Sequence, residues 1–143
     1  MPVPTPIGVG PTYHPRPAVH APCVAAARAS ARVHLELFAN RRVVLVPARI
    51  GRRPACHARI WTDDPTGVVR VQGRATLGDL FAVWGRRLRP MRLLGFAGRV
   101  RAYRNGALRR GDPRGIPLRD GDELVLEVGG FVPPHRSYVF PPH

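Results

Sequence analysis

The sequence predicts an α+β fold of about six or seven short, mostly antiparallel strands in hairpins, with one principal amphipathic helix. Three observations carry this. Apolar and polar residues alternate from Val33 to Phe38, a capped helical period lies between Thr76 and Gly85, and Asn105-Gly106 marks a tight hairpin turn.

The helix has the best local signals. Thr76 is placed to cap its start, Asp79 follows three residues on where a carboxylate favours the first turn, and Gly85 suits the left-handed end. Between them Leu77, Leu80, Phe81 and Trp84 fall on one face of a 3.6-residue period, so this face is expected to dock on a sheet. Trp84 on such a stripe reads as core packing.

Ahead of the helix, Val33, Leu35 and Leu37 point one way and His34, Glu36 and Phe38 the other. Asn40-Arg41-Arg42 turns the chain into Val43–Val46, and Pro47 stops that strand. A second hairpin pairs His57–Thr62 with Val68–Gln72 around Asp63-Asp64-Pro65-Thr66-Gly67. After the helix, Arg86 to Gly98 reads as a basic connection containing Leu93 and Leu94. Arg99–Arg104 and the residues from Ala107 form a hairpin, and Glu123–Val128 is the last strand.

The organisation expected is a proline-rich arm over residues 1–31, a single α+β domain over 32–130 and a proline- and aromatic-rich tail over 131–143. Seven prolines before Cys23 oppose regular structure in the arm, although Ala25–Ala31 has the composition for a turn of helix. Phe131, Tyr138 and Phe140 imply that the tail lies over the body, because exposed aromatics forgo their burial energy.

The formal charge is +14, and all 23 basic residues are arginine. Such a charge invites nucleic acid or another polyanion as partner. The arginines are scattered as singles and pairs, however, and no nucleic-acid-binding motif accompanies them. A solvated basic surface is therefore favoured over a specific nucleic-acid site, and the partner expected is an unidentified protein. No run is apolar and long enough to span a membrane, and the N-terminus lacks the features of a secretory signal. The expectation is a cytoplasmic protein in which Cys23 and Cys56 are reduced thiols.

From Val33 to Gly129 the chain resembles a small, uncharacterised bacterial domain family. Its parts are a strand opening on spaced histidines, a C-x-x-x-L-H-T-H-D block followed by G-I-I-H-I-E, then T-L-G-x-F-F-x-x-W-G, an N-G hairpin and D-P-R-x-I-x-L. Here they stand as ARVHLELFANRR, CHARIWTDDPTGVVRVQ, TLGDLFAVWG and RNGALRRGDPRGIPL.

The resemblance implies a transition-metal site, copper or zinc, built from imidazole, thiolate and carboxylate. Its positions transfer unevenly. His34 and Cys56 match and Asp64 is retained, whereas histidines of the pattern fall on Arg32, Trp61, Asp63 and Arg70, and its glutamate on Gln72. Arginine and tryptophan cannot ligate a cation, so the expectation is a degenerate site in which Arg32 and Arg70 replace the positive charge and neutralise Asp63 or Asp64.

The alternative keeps a weak metal site from His34, Cys56, Asp63 and Asp64, completed by His57 or by His20 and Cys23 of the arm. Ser30 and Ser137 lie in no nucleophile turn, Asp63 and Asp64 are adjacent and point apart, and no phosphate loop is present. No enzymatic activity is expected. The function implied is that of a non-catalytic accessory or binding domain.

Overall fold

The computed structural model describes residues 13–15 and 28–142. Its centre is β1 (Ala31–Ala39), which turns through Asn40 and Arg41 into β2 (Arg42–Val44). β3 (Ile60–Trp61) and β4 (Val68–Val71) follow, and then α1 (Leu77–Trp84). Beyond the helix come β5 (Leu88–Arg89), β6 (Arg92–Leu93), β7 (Phe96–Ala97), β8 (Arg101–Arg104), β9 (Ala107–Arg109) and β10 (Glu123–Val128). The class is α+β, as the sequence predicts, with more strands than expected.

The main sheet runs β3-β4-β1-β10-β8-β9, and β2 also pairs with β1. Its middle is a parallel pair: His34 lies opposite Glu123 and Ala39 opposite Val128. Every other pairing in the sheet is antiparallel. Parallel pairing requires a long crossover, and here the segment between the two strands carries the helix.

Thr76 and Asp79 form a reciprocal capping box, and Gly85 closes the helix at φ 77°. Leu77, Leu80, Phe81 and Trp84 are buried against Val33, Leu35 and Leu37 of β1, Val69 and Val71 of β4, and Leu124 and Leu126 of β10. The Trp84 indole N–H donates to the Tyr13 carbonyl at 3.0 Å, which satisfies the one polar atom of a fully buried ring.

The two best hairpin signals share one turn chemistry. Asn40 and Arg41 have φ 52° and 68°, and Asn105 and Gly106 have φ 51° and 84°. Both turns have two residues in left-handed conformations, the form that matches strand twist. Arg41 occupies a position where glycine is the easier residue.

Three expectations are corrected. Arg86 to Gly98 is not an irregular connection: β5, β6 and β7 form a three-stranded sheet, with buried Leu88 opposite buried Leu93. Strands of two residues carry no visible alternation, so burial of the leucines decides the structure. β2 ends at Val44, short of the expected Val46. Cys56 is disulfide-bonded rather than a free thiol. Cys23, the only other cysteine of the chain, lies outside the described residues, as do His20 and the first three residues of the alanine-rich segment, whose described remainder is not helical.

Candidate functional site

The face of the sheet opposite α1 carries the chemistry. Strand alternation puts Arg32, His34, Glu36 and Phe38 there from β1, and the parallel register puts Glu123 and Glu127 beside them from β10. β4 adds Arg70 opposite Arg32, and β3 adds Trp61 opposite Arg70. Trp61, Arg70 and Arg32 thus form one row across three strands, with His34 two residues along.

The C-terminal tail covers this face. The Tyr138 ring stacks on His34 with centroids 3.6 Å apart and planes 5° from parallel, and Phe140 meets Tyr138 edge-on. The Arg32 guanidinium lies over Phe140 at 5.2 Å and donates to the Pro141 carbonyl at 2.7 Å. Val132 joins Phe38, Tyr103 and Val125 in a second small core. Every residue of β10 is buried, Leu124 and Leu126 in the core beneath α1 and Val125 beside Val132 of the tail, its glutamates included.

Beneath Tyr138 lies a chain of ionisable groups. His34 Nε2 is 2.9 Å from the Thr66 carbonyl, which can only accept, so Nε2 carries a proton. His34 Nδ1 is 2.9 Å from Glu123 Oε1 and 3.9 Å from Glu36 Oε1, and His135 Nδ1 is 2.7 Å from Glu36 Oε1. One proton must occupy the Nδ1 to Glu123 contact: either the carboxyl O–H donates to the imidazole or the imidazolium N–H donates to the carboxylate. Burial pushes Glu123 up to about 7, and neighbouring Glu36 adds to the rise while His34 opposes it. Further along β10, burial also raises Glu127, against the pull of the Val132 N–H at 3.2 Å and of Arg101 at 3.3 Å.

The positions singled out from sequence separate into groups. Asp63 is held by two guanidiniums, with Arg70 Nε at 3.0 Å from Oδ2 and Arg52 Nε at 3.4 Å from Oδ1. Asp64 instead caps its own turn, accepting from the Thr66 N–H at 3.3 Å and from the Thr66 hydroxyl. Gln72 gives its backbone N–H to the Arg59 carbonyl, and its Oε1 is buried with no hydrogen-bond partner. Cys56 lies with His57, Trp61 and Asp63 in a cleft beside the row. A disulfide sulfur is no thiolate and cannot serve as a metal ligand.

No family model, curated protein or solved structure matches this chain. The site is therefore read from its own donors. Among the described residues, only His34 of the four expected ligands stands with other metal-binding atom types: with Glu36 and Glu123 it offers three donor atoms within 4.8 Å of one another, each already in a hydrogen bond. The sequence alone does not bring these glutamates together, since nothing in it places β10 beside β1. The signal that could have found them is the matching polar alternation in H-L-E-L and E-L-V-L-E.

Proposed function

We propose that this protein is a non-catalytic binding domain in which guanidinium groups stand where its resemblance to a metal-site family would place a cation. The supporting observation is the clamp on Asp63 by Arg70 and Arg52, which uses both carboxylate oxygens. The buried acids fit a structural role as well. Asp122 is taken by Arg104 and Asn105, Glu127 by Arg101 and the Val132 N–H, and Glu123 by His34.

A second reading is favoured by the His34, Glu36 and Glu123 donors. A histidine whose other ring nitrogen donates to a backbone carbonyl is oriented as metal-ligating histidines are, and His34 is held this way by Thr66. In that reading a copper or zinc ion displaces the shared proton, with Cys56 and Asp63 uninvolved.

Elemental analysis of the untagged full chain decides between them. The metal-free reading expects copper, zinc and iron well below one equivalent after incubation with each ion and desalting. One tightly held equivalent that disappears on Glu123→Gln and survives Asp63→Asn overturns it in favour of the second reading.

No helix among the described residues is long and apolar enough to cross a membrane. As to location, the cytoplasmic expectation conflicts with the disulfide at Cys56, because cytosolic thiols are kept reduced; we favour an oxidising compartment.

A further inference from the structure

The cleft beside the Trp61 row is a second, separate feature. It encloses about 580 Å³ and is lined by Arg49, Arg52, Arg53, His57, Trp61 and Asp63 among others. Arg49 and Arg52 face one carboxylate there, Asp63, which Arg52 already shares with Arg70 outside the lining. Arg49 has no carboxylate partner among the described residues. A concave surface with this imbalance calls for an anion, and its volume falls in the range of small-ligand sites, roughly 300–1,000 Å³.

The loop that presents the arginines is pinned. Thr62 is fully buried, and its hydroxyl donates to the Pro47 carbonyl at 2.7 Å while accepting from the Ile50 N–H at 3.0 Å. The backbone N–H of Arg49 donates to the Thr62 carbonyl at 3.0 Å, and Ala58 N–H to the Gly51 carbonyl at 2.8 Å. Gly51 sits so close to β3 that a Cβ would strike the Ile60 carbonyl.

Arg49 itself is held at φ 70°, a conformation costing an L-residue roughly 1–2 kcal/mol and retained only where surrounding bonds enforce it. His57 and Trp61 stack with ring centroids 3.9 Å apart and make the floor. Arginines on a preorganised loop lose less entropy on closing around a planar oxyanion face.

The molecule offers an instructive contrast. A cleft of about 550 Å³ toward the opposite edge of the sheet, at β8 and β9, also contains arginines, Arg99, Arg101, Arg109 and Arg110, together with Met91 and Leu108. There Arg101 is committed to Glu127 and the Gly130 carbonyl, and Arg109 stands on a strand exposed along its whole length. It has the charge without the pinned loop.

We propose that the cleft of Arg49 and Arg52 binds a small oxyanion, either free phosphate or the phosphate group of a monoester. This gives the binding domain proposed above a ligand class, yet it is tested independently of metal content. The full chain is titrated calorimetrically with inorganic phosphate and, separately, with phenyl phosphate, at constant ionic strength balanced with sodium chloride. Saturable binding is expected, and Arg49→Gln weakens it at least tenfold while leaving the phosphate-free melting temperature in place. Arg109→Gln leaves it unchanged.

Tighter binding of phenyl phosphate identifies an ester as the ligand, and equal binding identifies the free anion. Absence of saturable binding overturns the proposal. An equal loss from Arg109→Gln also overturns it, since the effect is then that of net charge. Metal measured on the same sample keeps the two readings apart: stoichiometric zinc or copper removes the metal-free reading without touching a phosphate result.

Discussion

The two faces of the central sheet are both buried, and they are buried by opposite means. On the inner face, α1 covers an apolar surface of valines, leucines, Phe81 and Trp84. On the outer face, a tail without regular structure covers His34, Glu36, Glu123 and Glu127. Apolar burial is favourable wherever it occurs, so the inner face follows from local periodicity. Polar burial is tolerated only where each group finds a partner, so the outer face depends on contacts made by distant parts of the chain.

The largest difference between the faces should appear on cutting into the inner one. Trp84 is fully buried and lies 5.3 Å from Phe81, and the change Trp84→Ala leaves a cavity no neighbour can fill. We expect a loss of about 3–5 kcal/mol, read from the urea midpoint, which would leave a domain of ordinary stability largely unfolded. Leu108→Ala on exposed β9 should shift the midpoint by less than about 0.5 kcal/mol. Similar losses from both would mean that the helix does not organise the core.

Removing the outer cover should have the next largest effect. Truncation after Gly130 deletes Val132 and Tyr138 and exposes Phe38, Val125 and the glutamates of β10 together. Lost apolar burial points to a decrease on the order of 3 kcal/mol, and amides of β10 should lose protection from hydrogen exchange before those of β4. A truncated chain as stable as the full one would show that the tail rests on the sheet without contributing to it.

The third test uses pH to separate the faces, because only the outer one titrates. Glu123 has its folded value raised to about 7, so the folded state holds this proton more tightly than the unfolded chain does. Its contribution to stability is complete below the unfolded carboxyl value and is lost as pH rises through about 7. Between pH ~4.5 and ~7.5 the wild type should lose up to about 3 kcal/mol relative to Glu123→Gln, measured as paired urea midpoints at each pH. Parallel pH profiles for the two proteins would remove the shared proton from the account.

This contrast also explains what the sequence made legible. Thr76, Asp79 and Gly85 announce α1 because caps act within a few residues, and Val33, Leu35 and Leu37 announce β1 because alternation is local. Nothing local says that β10 lies parallel to β1, or that Glu36 meets Glu123 across 87 positions. Nothing in E-L-V-L-E-V marks its glutamates as buried, and only the tail's aromatics imply that the body is covered there. The candidate site was half visible for the same reason. Trp61, Arg70 and Arg32 are singled out by the family resemblance, whereas their neighbours Glu123, His135 and Tyr138 come from the far end of the chain.

The smallest expected effect lies at the margin of the outer face, where burial gives way to solvent. Asp63 and its arginine partners are each more than a quarter exposed, so their attraction is screened, and Asp63→Asn should change stability by less than about 1 kcal/mol at physiological salt. The same substitution removes the one negative charge lining the arginine cleft. Phosphate binding should therefore tighten by a few-fold, with the gain growing as ionic strength falls toward about 0.01 M, where screening extends over some 30 Å. A carboxylate that matters structurally would instead behave like Glu123, with a large stability change and no gain in anion binding. Near-silence in the melt combined with tighter phosphate binding would place Asp63 at a functional edge, outside the buried polar network it adjoins.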